Sequence, residues 1–171
     1  IPRRRSGAAW AGASVWIVML YLVRHGSAGV RDDADPADNE RHLDAVGLRQ
    51  AVQLAERLSG LEITAVVASP AARCVETVEP LASSLGLAVD IDARLFEGTD
   101  IEESWALVEA LVEHDEVAVL CSHGDVIPEL VRRAKGRGME VPGKAGCSKG
   151  SLWSLEWDGE RFATGTYEPM R

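Results

Sequence analysis

From Met19 onward, short apolar runs alternate with amphipathic stretches, and this alternation restricts the fold more than any other feature of the chain. Three runs are apolar almost throughout, as in strands buried on both faces: MLYLV (19–23), ITAVVAS (63–69) and EVAVLCS (116–122). Between the first two, residues 44–59 place their apolar side chains on one helical face. We therefore predict an α/β fold, a three-layer α/β/α sandwich with a mainly parallel central sheet.

The remaining segments fit the same scheme. Residues 70–86 begin with proline and end with glycine, as helices often do, although Pro80 is expected to kink or break this helix. A short strand at 87–91 and a helix at 100–113 follow. Two strand-like stretches, SLWSLEW and RFATGTY, flank the turn signal Asp158-Gly159 and predict a C-terminal β-hairpin.

The length of 171 residues is typical of one domain with its own core. Residues 1–18 carry three arginines and no acidic residue, and their apolar stretch is too short and interrupted for a membrane span. We interpret them as an N-terminal extension or linker, or as a mis-called start with Met19 as the natural first residue. Residues 19–171 are then a single catalytic domain.

The chain is acidic, with a formal net charge of −9. Such a chain has no general basic surface for a nucleic acid polymer or an anionic membrane, so any anion must enter a local basic pocket. The three cysteines, Cys74, Cys121 and Cys147, show no C-x-x-C spacing. This pattern argues against a disulfide framework and favours a reducing compartment, so we predict a cytoplasmic protein.

Charged and imidazole side chains follow directly after the predicted strands. Arg24 and His25 end the first strand, Arg73 lies one turn into the helix after the second, and His123 follows a later strand. Because ligands of such sheets bind beyond the carboxyl ends of the strands, we expect these side chains to converge. Arginine forks suit phosphate oxygens, and neutral histidine can attack phosphorus. The pattern predicts phosphoryl transfer through a phosphohistidine.

The same residues carry a resemblance to a known family. LVRHG after the first strand, SPAAR followed by ET after the second, and SHGD after a later strand resemble the histidine phosphatase superfamily, which includes the cofactor-dependent phosphoglycerate mutases. The stretch DNERHLDAVGLRQA is similar to that of the short bacterial phosphohistidine phosphatases, and KGSLWSLEW to that of phosphatase-like domains fused to Nudix hydrolases. The resemblance covers about residues 19–167.

This resemblance implies a role for each matching residue. His25 becomes the nucleophile, and Arg24, Arg73 and His123 become the phosphate cradle, with His123 bracing the transferred group. Gly26, which lacks a Cβ atom, would let the backbone turn close to the phosphate.

The general acid is less determined by the sequence. Glu97 stands where larger members of the family place the acid that protonates the leaving oxygen, and Asp125 beside His123 is the alternative. Arg31 replaces the phosphate-binding asparagine of the mutases, a departure that weakens a mutase interpretation while leaving Arg31 as a further candidate anion contact.

Two functions of different class remain open. The first is a metal-independent phosphatase that needs no cofactor and acts on a phosphorylated small molecule or a phosphoprotein. The second is a catalytically weak or inactive family member that serves as an anion-binding or protein-interaction module. The sequence does not determine the oligomeric state.

Overall fold

The computed structural model describes residues 17–170. Most of the extension predicted for residues 1–18 therefore lies outside the described residues. Within this range the chain forms six strands and four α-helices: β1 (Val18–Arg24), α1 (Ala45–Leu58), β2 (Ala65–Ala68), α2 (Ala72–Leu85), β3 (Val89–Ile91), α3 (Ile101–Glu113), β4 (Ala118–Ser122), α4 (Val126–Gly136), β5 (Leu152–Trp157) and β6 (Phe162–Glu168). None of these helices is long and apolar enough to cross a membrane.

The strands form one sheet in the order β3-β2-β4-β1-β5-β6. The first four strands run parallel, whereas β5 pairs antiparallel with β1 and β6 antiparallel with β5. This arrangement confirms the mainly parallel sheet and the C-terminal hairpin. Strand β1 begins at Val18, one residue before the predicted start of the domain, and the buried Val18 pairs with Trp157.

Helices cover both faces of the sheet, as the apolar strands predict. Along β1, Leu20 and Leu22 pack into the apolar cluster shared with α3 and α4. The alternate residues Tyr21 and Val23 pack into the cluster shared with α1 and α2. Successive side chains of a strand point to opposite faces, so a strand between two helical layers must be apolar at every position.

Helix α2 departs from the prediction at Pro80. The helix runs without a break from Ala72 to Leu85 and contains Pro80. A proline inside a helix costs about 3 kcal/mol. The residues around it, among them Val78 and Leu81, are fully buried against the sheet, and this packing holds the helix together across the missing hydrogen bond.

The chain order creates a crevice between β1 and β4. Helix α1, which follows β1, packs on one face of the sheet, and α4, which follows β4, packs on the opposite face. Ligands of open α/β sheets bind where the connections diverge in this way. Antiparallel β5 brings its amino end to the same edge, where the Gly150 N–H contacts the carbonyl oxygens of Arg24 and His25 at 3.1 and 3.0 Å.

Candidate active site

A cavity of about 550 Å³ opens at this edge of the sheet. It contains seven of the eight residues that the sequence singled out, and Gly26 is the exception. Its lining consists of Arg24, His25, Gly29, Arg31, Arg41, Arg73, Glu97, Gly98, His123, Gly124, Asp125 and Lys149.

His25 is held as a neutral imidazole with one free nitrogen. Its Nδ1 lies 2.8 Å from the carbonyl oxygen of Gly26, and because a carbonyl only accepts, Nδ1 carries the proton. The lone pair is therefore on Nε2. Burial lowers the pKa of His25 to about 3, and the neighbouring charges of His123, Arg73 and Arg24 act in the same direction. A neutral ring is the form that can act as a nucleophile.

His123 is the partner of His25 across the crevice. The two ring centroids are 5.4 Å apart, and His123 is 1% exposed. Its Nε2 is hydrogen-bonded to the hydroxyl of Ser69 at 2.7 Å. Its Nδ1 is buried without a hydrogen-bond partner among the described residues and lies 4.0 Å from a carboxylate oxygen of Glu97. Buried polar atoms rarely lack partners, so Nδ1 retains an unused capacity for a hydrogen bond.

The two predicted arginines are fixed by the backbone around them. Arg73 is 1% exposed, and its Nη1 donates to the carbonyl oxygen of Asp38 at 3.1 Å. Arg24 donates through Nη1 to the carbonyl oxygen of Cys147 at 2.5 Å. In both arginines Nε is buried and has no partner within residues 17–170. Each guanidinium is therefore oriented while keeping a donor unused.

The carboxylate of Glu97 lies among the basic residues of the cavity. One of its carboxylate oxygens is 3.3 Å from Nη2 of Arg73, and the other is 3.1 Å from Nη1 of Arg31. With His123 at 4.0 Å, the carboxylate lies near two members of the predicted cradle, Arg73 and His123, and contacts Arg31 as well. An anion that enters the cavity competes with Glu97 for these groups, which brings the carboxyl next to the bound anion.

Asp125 has a supporting position. Its carboxylate accepts a hydrogen bond of 2.7 Å from the backbone N–H of Gly98, the residue that follows Glu97. Asp125 thus anchors the loop that carries Glu97. Between the two carboxylates that the sequence left as alternatives for the general acid, this geometry favours Glu97.

Gly26 has a role that differs from the expected phosphate contact. Its N–H donates to the hydroxyl of Thr77 at 2.9 Å, and its carbonyl accepts from His25. A Cβ at this position would lie 3.0 Å from the Cα of Gly47 in α1. Gly26 is therefore required for the close approach of α1 to the turn that carries the nucleophile, and its N–H is not free for phosphate.

Two basic residues of the cavity were missed in the sequence, Arg41 and Lys149. Arg41 precedes α1 and donates to both carboxylate oxygens of Asp38, at 2.8 and 3.1 Å. Lys149 precedes β5, whose antiparallel pairing with β1 brings it to the crevice. The stretch KGSLWSLEW, which begins at Lys149, carries part of the family resemblance. A hairpin pattern does not reveal which strand it joins, so the sequence did not place the Lys149 side chain at the cavity. Within residues 17–170, no group of three His, Cys, Asp or Glu side chains is placed to hold a metal ion.

Comparison with known proteins agrees with this geometry. Residues 20–106 match the family model of the histidine phosphatase superfamily (branch 1). The chain therefore belongs to the histidine phosphatase superfamily.

Individual relatives extend the comparison over most of the chain. An 8-oxo-(d)GTP phosphatase of Mycolicibacterium smegmatis is 34% identical over 145 residues, which are 82% of this chain and 45% of that protein. This chain thus spans less than half the length of that relative. The protein histidine phosphatase SixA, solved with tungstate, has a TM-score of 0.69 at 24% identity and covers 89% of this chain and 95% of its own. Mycobacterial glucosyl-3-phosphoglycerate phosphatase Rv2419c, solved with VO3, has a TM-score of 0.67 at 20% identity. The match covers 90% of this chain and 99% of that chain.

Proposed function

We propose that the protein is a metal-independent phosphatase that hydrolyses a phosphomonoester or a protein phosphohistidine through a covalent intermediate on His25. One observation carries the proposal. The residues that surround the neutral His25 carry three buried nitrogens without partners among the described residues. These are Nε of Arg24, Nε of Arg73 and Nδ1 of His123. A tetrahedral phosphoryl group supplies the acceptors that these donors lack.

The proposed cycle has two displacements at phosphorus. The lone pair of His25 Nε2 forms the new P–N bond while the bond from phosphorus to the leaving atom breaks. That atom is an oxygen in a phosphomonoester and an imidazole nitrogen in a phosphohistidine, and Glu97 gives it a proton. Glu97 then accepts a proton from water as the water attacks phosphorus. The P–N bond breaks, and inorganic phosphate and neutral His25 are released. Arg24, Arg73 and His123 stabilise the charge on the equatorial oxygens in both steps.

The cations of the cavity fill the role that a divalent metal has in other phosphoryl-transfer enzymes. The names of two similar proteins, an 8-oxo-(d)GTP phosphatase and a protein histidine phosphatase, support a phosphorylated small molecule or a phosphoprotein as substrate. A cytoplasmic location is also part of the proposal, supported by the free thiols of Cys74, Cys121 and Cys147.

The function is tested with 4-nitrophenyl phosphate in the presence of excess chelator. We expect hydrolysis at a rate that the chelator does not change, because the protein cations bind the phosphoryl group directly. Loss of activity on chelation, with recovery on adding a divalent metal, would contradict the proposal. Phosphate binding without hydrolysis of aryl phosphates, phosphohistidine peptides and nucleotides would instead support the anion-binding module.

Glu97→Gln is expected to affect substrates according to their leaving groups. The amide keeps the shape of Glu97 but cannot donate an acidic proton, and general acid catalysis typically contributes about 10²–10⁴-fold. We expect kcat/KM to fall at least about 100-fold for an alkyl phosphate and less than about tenfold for 4-nitrophenyl phosphate, whose phenolate leaves without a proton. Asp125→Asn is the matched control, and it should lower kcat/KM for both substrates by a similar factor. Equal losses for both substrates in Glu97→Gln would exclude Glu97 as the acid.

A further inference from the structure

We propose that Gln50 is a positioning residue for the nucleophile. It holds the peptide unit between Gly26 and Ser27 in the orientation that keeps the proton of His25 on Nδ1 and leaves the Nε2 lone pair free. Gln50 lies in α1, is 7% exposed and is not among the residues that line the cavity, so it acts on the reaction only through this peptide unit. The inference rests on the proposed function, because the role of His25 as nucleophile belongs to that function.

The carbonyl that orients His25 belongs to the peptide unit between Gly26 and Ser27. Its oxygen lies 2.8 Å from Nδ1 of His25, and the N–H of the same unit, on Ser27, donates to Oε1 of Gln50 at 2.9 Å. A peptide unit is planar and rigid, so a hydrogen bond at its N–H sets the direction of its C=O. The same bond polarises the unit and makes the carbonyl a stronger acceptor. Gln50 therefore controls the acceptor that decides which nitrogen of His25 carries the proton.

The other end of the Gln50 amide is fixed as well. Its Nε2 donates to the carbonyl oxygen of Lys149 at 3.0 Å. The next residue, Gly150, donates its N–H to the carbonyl oxygens of Arg24 and His25 at 3.1 and 3.0 Å. A flipped amide would place an N–H against an N–H and a carbonyl against a carbonyl, so the two bonds fix which end is Oε1. Gln50 thus joins the turn of the nucleophile to the turn that precedes β5.

Three glycines make room for this amide. A Cβ on Gly26 would lie 3.3 Å from Oε1 of Gln50, and a Cβ on Gly150, whose φ is +75°, would lie 2.8 Å from its Cδ. A Cβ on Gly47, one turn earlier in α1, would lie 2.0 Å from the carbonyl oxygen of Ser27. Glycine loses more conformational freedom on folding than any other residue. Three glycines around one buried amide therefore indicate that the position of the amide matters.

Thr77 holds the preceding peptide unit in a similar way. Its hydroxyl accepts the N–H of Gly26 at 2.9 Å and donates to the carbonyl oxygen of Arg73 at 2.6 Å. The hydroxyl and the Gln50 amide hold consecutive peptide units of the nucleophile turn, but only the second unit carries the carbonyl that contacts His25. Loss of the Gln50 amide should therefore release the imidazole while Thr77 keeps the backbone of the turn in place.

Gln50→Met tests this role, because methionine is unbranched and fills a similar space but has no amide. Without the bond to Ser27, we expect the Gly26 carbonyl to turn and part of the His25 population to carry its proton on Nε2. A misplacement of about 1 Å at a reacting group can cost about 10²-fold, so kcat for 4-nitrophenyl phosphate should fall about 10–100-fold. The affinity for inorganic phosphate should stay within about twofold of the wild type, because the substitution removes no contact to the anion.

The ¹⁵N NMR spectrum of histidine-labelled protein reports the tautomer directly. The chain has four histidines, and the His25 signals are those that disappear in His25→Asn. Burial lowers the pKa of His25 to about 3, so its ring is neutral near neutral pH. We expect a protonated Nδ1 and an unprotonated Nε2 in the wild type, and a mixture of the two tautomers in Gln50→Met.

Gln50→Glu and Gln53→Met are the companion variants. Gln50→Glu keeps an acceptor for the N–H of Ser27, so the wild-type tautomer should return and most of the lost kcat should be recovered. Gln53 is an exposed glutamine of the same helix, and Gln53→Met should change neither kcat nor the His25 signals.

Two results would overturn the inference. A proton on Nε2 of His25 in the wild-type protein would contradict both the nucleophile and its positioning, whether or not the variants fold. Unchanged His25 signals in a folded Gln50→Met variant would remove only the positioning role, even with a lower kcat, because Gln50 would then be a structural residue. NMR requires no turnover, so this second outcome is independent of whether 4-nitrophenyl phosphate is hydrolysed.

Discussion

His25→Asn is expected to lower kcat for 4-nitrophenyl phosphate by at least about 10⁴-fold, the scale of loss when a covalent nucleophile is removed. Asparagine retains a polar group near the Gly26 carbonyl but has no nitrogen lone pair that can attack phosphorus. The variant keeps Arg24, Arg73 and His123, the proposed phosphate cradle, so it should still bind inorganic phosphate. Binding without turnover is the combined result that identifies the nucleophile.

His114→Asn is the matched control for this variant. His114 is exposed at the end of α3 and hydrogen-bonds the Ala110 carbonyl, so its removal should leave kcat within about twofold of the wild type. Circular dichroism and the midpoint of thermal unfolding establish that His25→Asn is folded. A folded His25→Asn variant with more than a tenth of wild-type activity would exclude the proposed intermediate.

Arg73→Ala is expected to lower kcat/KM by about 10³-fold, as for the loss of one preorganised donor to a developing charge. Arg73 is 1% exposed and reaches both Glu97 and the Asp38 carbonyl. Its removal also leaves the half-buried Asp38 carbonyl and Glu97 carboxylate without their donor, so the free energy of unfolding should fall measurably.

Arg73→Lys separates catalysis from stability. Lysine keeps the charge but not the planar fork, so we expect a variant that folds and yet loses at least about tenfold in kcat/KM. The matched control is Arg94→Ala, since Arg94 is a half-exposed arginine paired with Asp92, and its activity should be unchanged. If Arg73→Lys is fully active, Arg73 is a structural residue rather than part of the phosphate cradle.

The predictable part of the site follows from one rule of α/β sheets. Arg24 ends β1, His25 and His123 directly follow β1 and β4, and Arg73 lies in the first turn of α2. Parallel strands bring such residues to one edge wherever each strand lies in the sheet. The sequence alone therefore predicts that these four residues meet at one edge of the sheet, without knowledge of the strand order.

The residues at the rim of the cavity and the contacts that support the site cannot be predicted without the tertiary structure. Lys149 reaches the cavity because β5 pairs antiparallel with β1, and nothing in the hairpin pattern specifies that partner. Gly26 was assigned to phosphate because a glycine after a nucleophile suggests a close ligand, whereas the close neighbour is α1. The sequence leaves Asp125 as the alternative to Glu97 for the general acid, and only the tertiary structure shows that the Asp125 carboxylate accepts a hydrogen bond from the Gly98 N–H.

The most direct test of the account is to locate the phosphoryl group on the protein during turnover. Wild-type protein is mixed with labelled 4-nitrophenyl phosphate, quenched in alkali to preserve phosphohistidine, digested and mapped by mass spectrometry over a series of times. We predict label on the peptide that contains His25 and none in the His25→Asn variant. Label on another residue, or rapid turnover with unlabelled protein at every time, would contradict a covalent intermediate on His25.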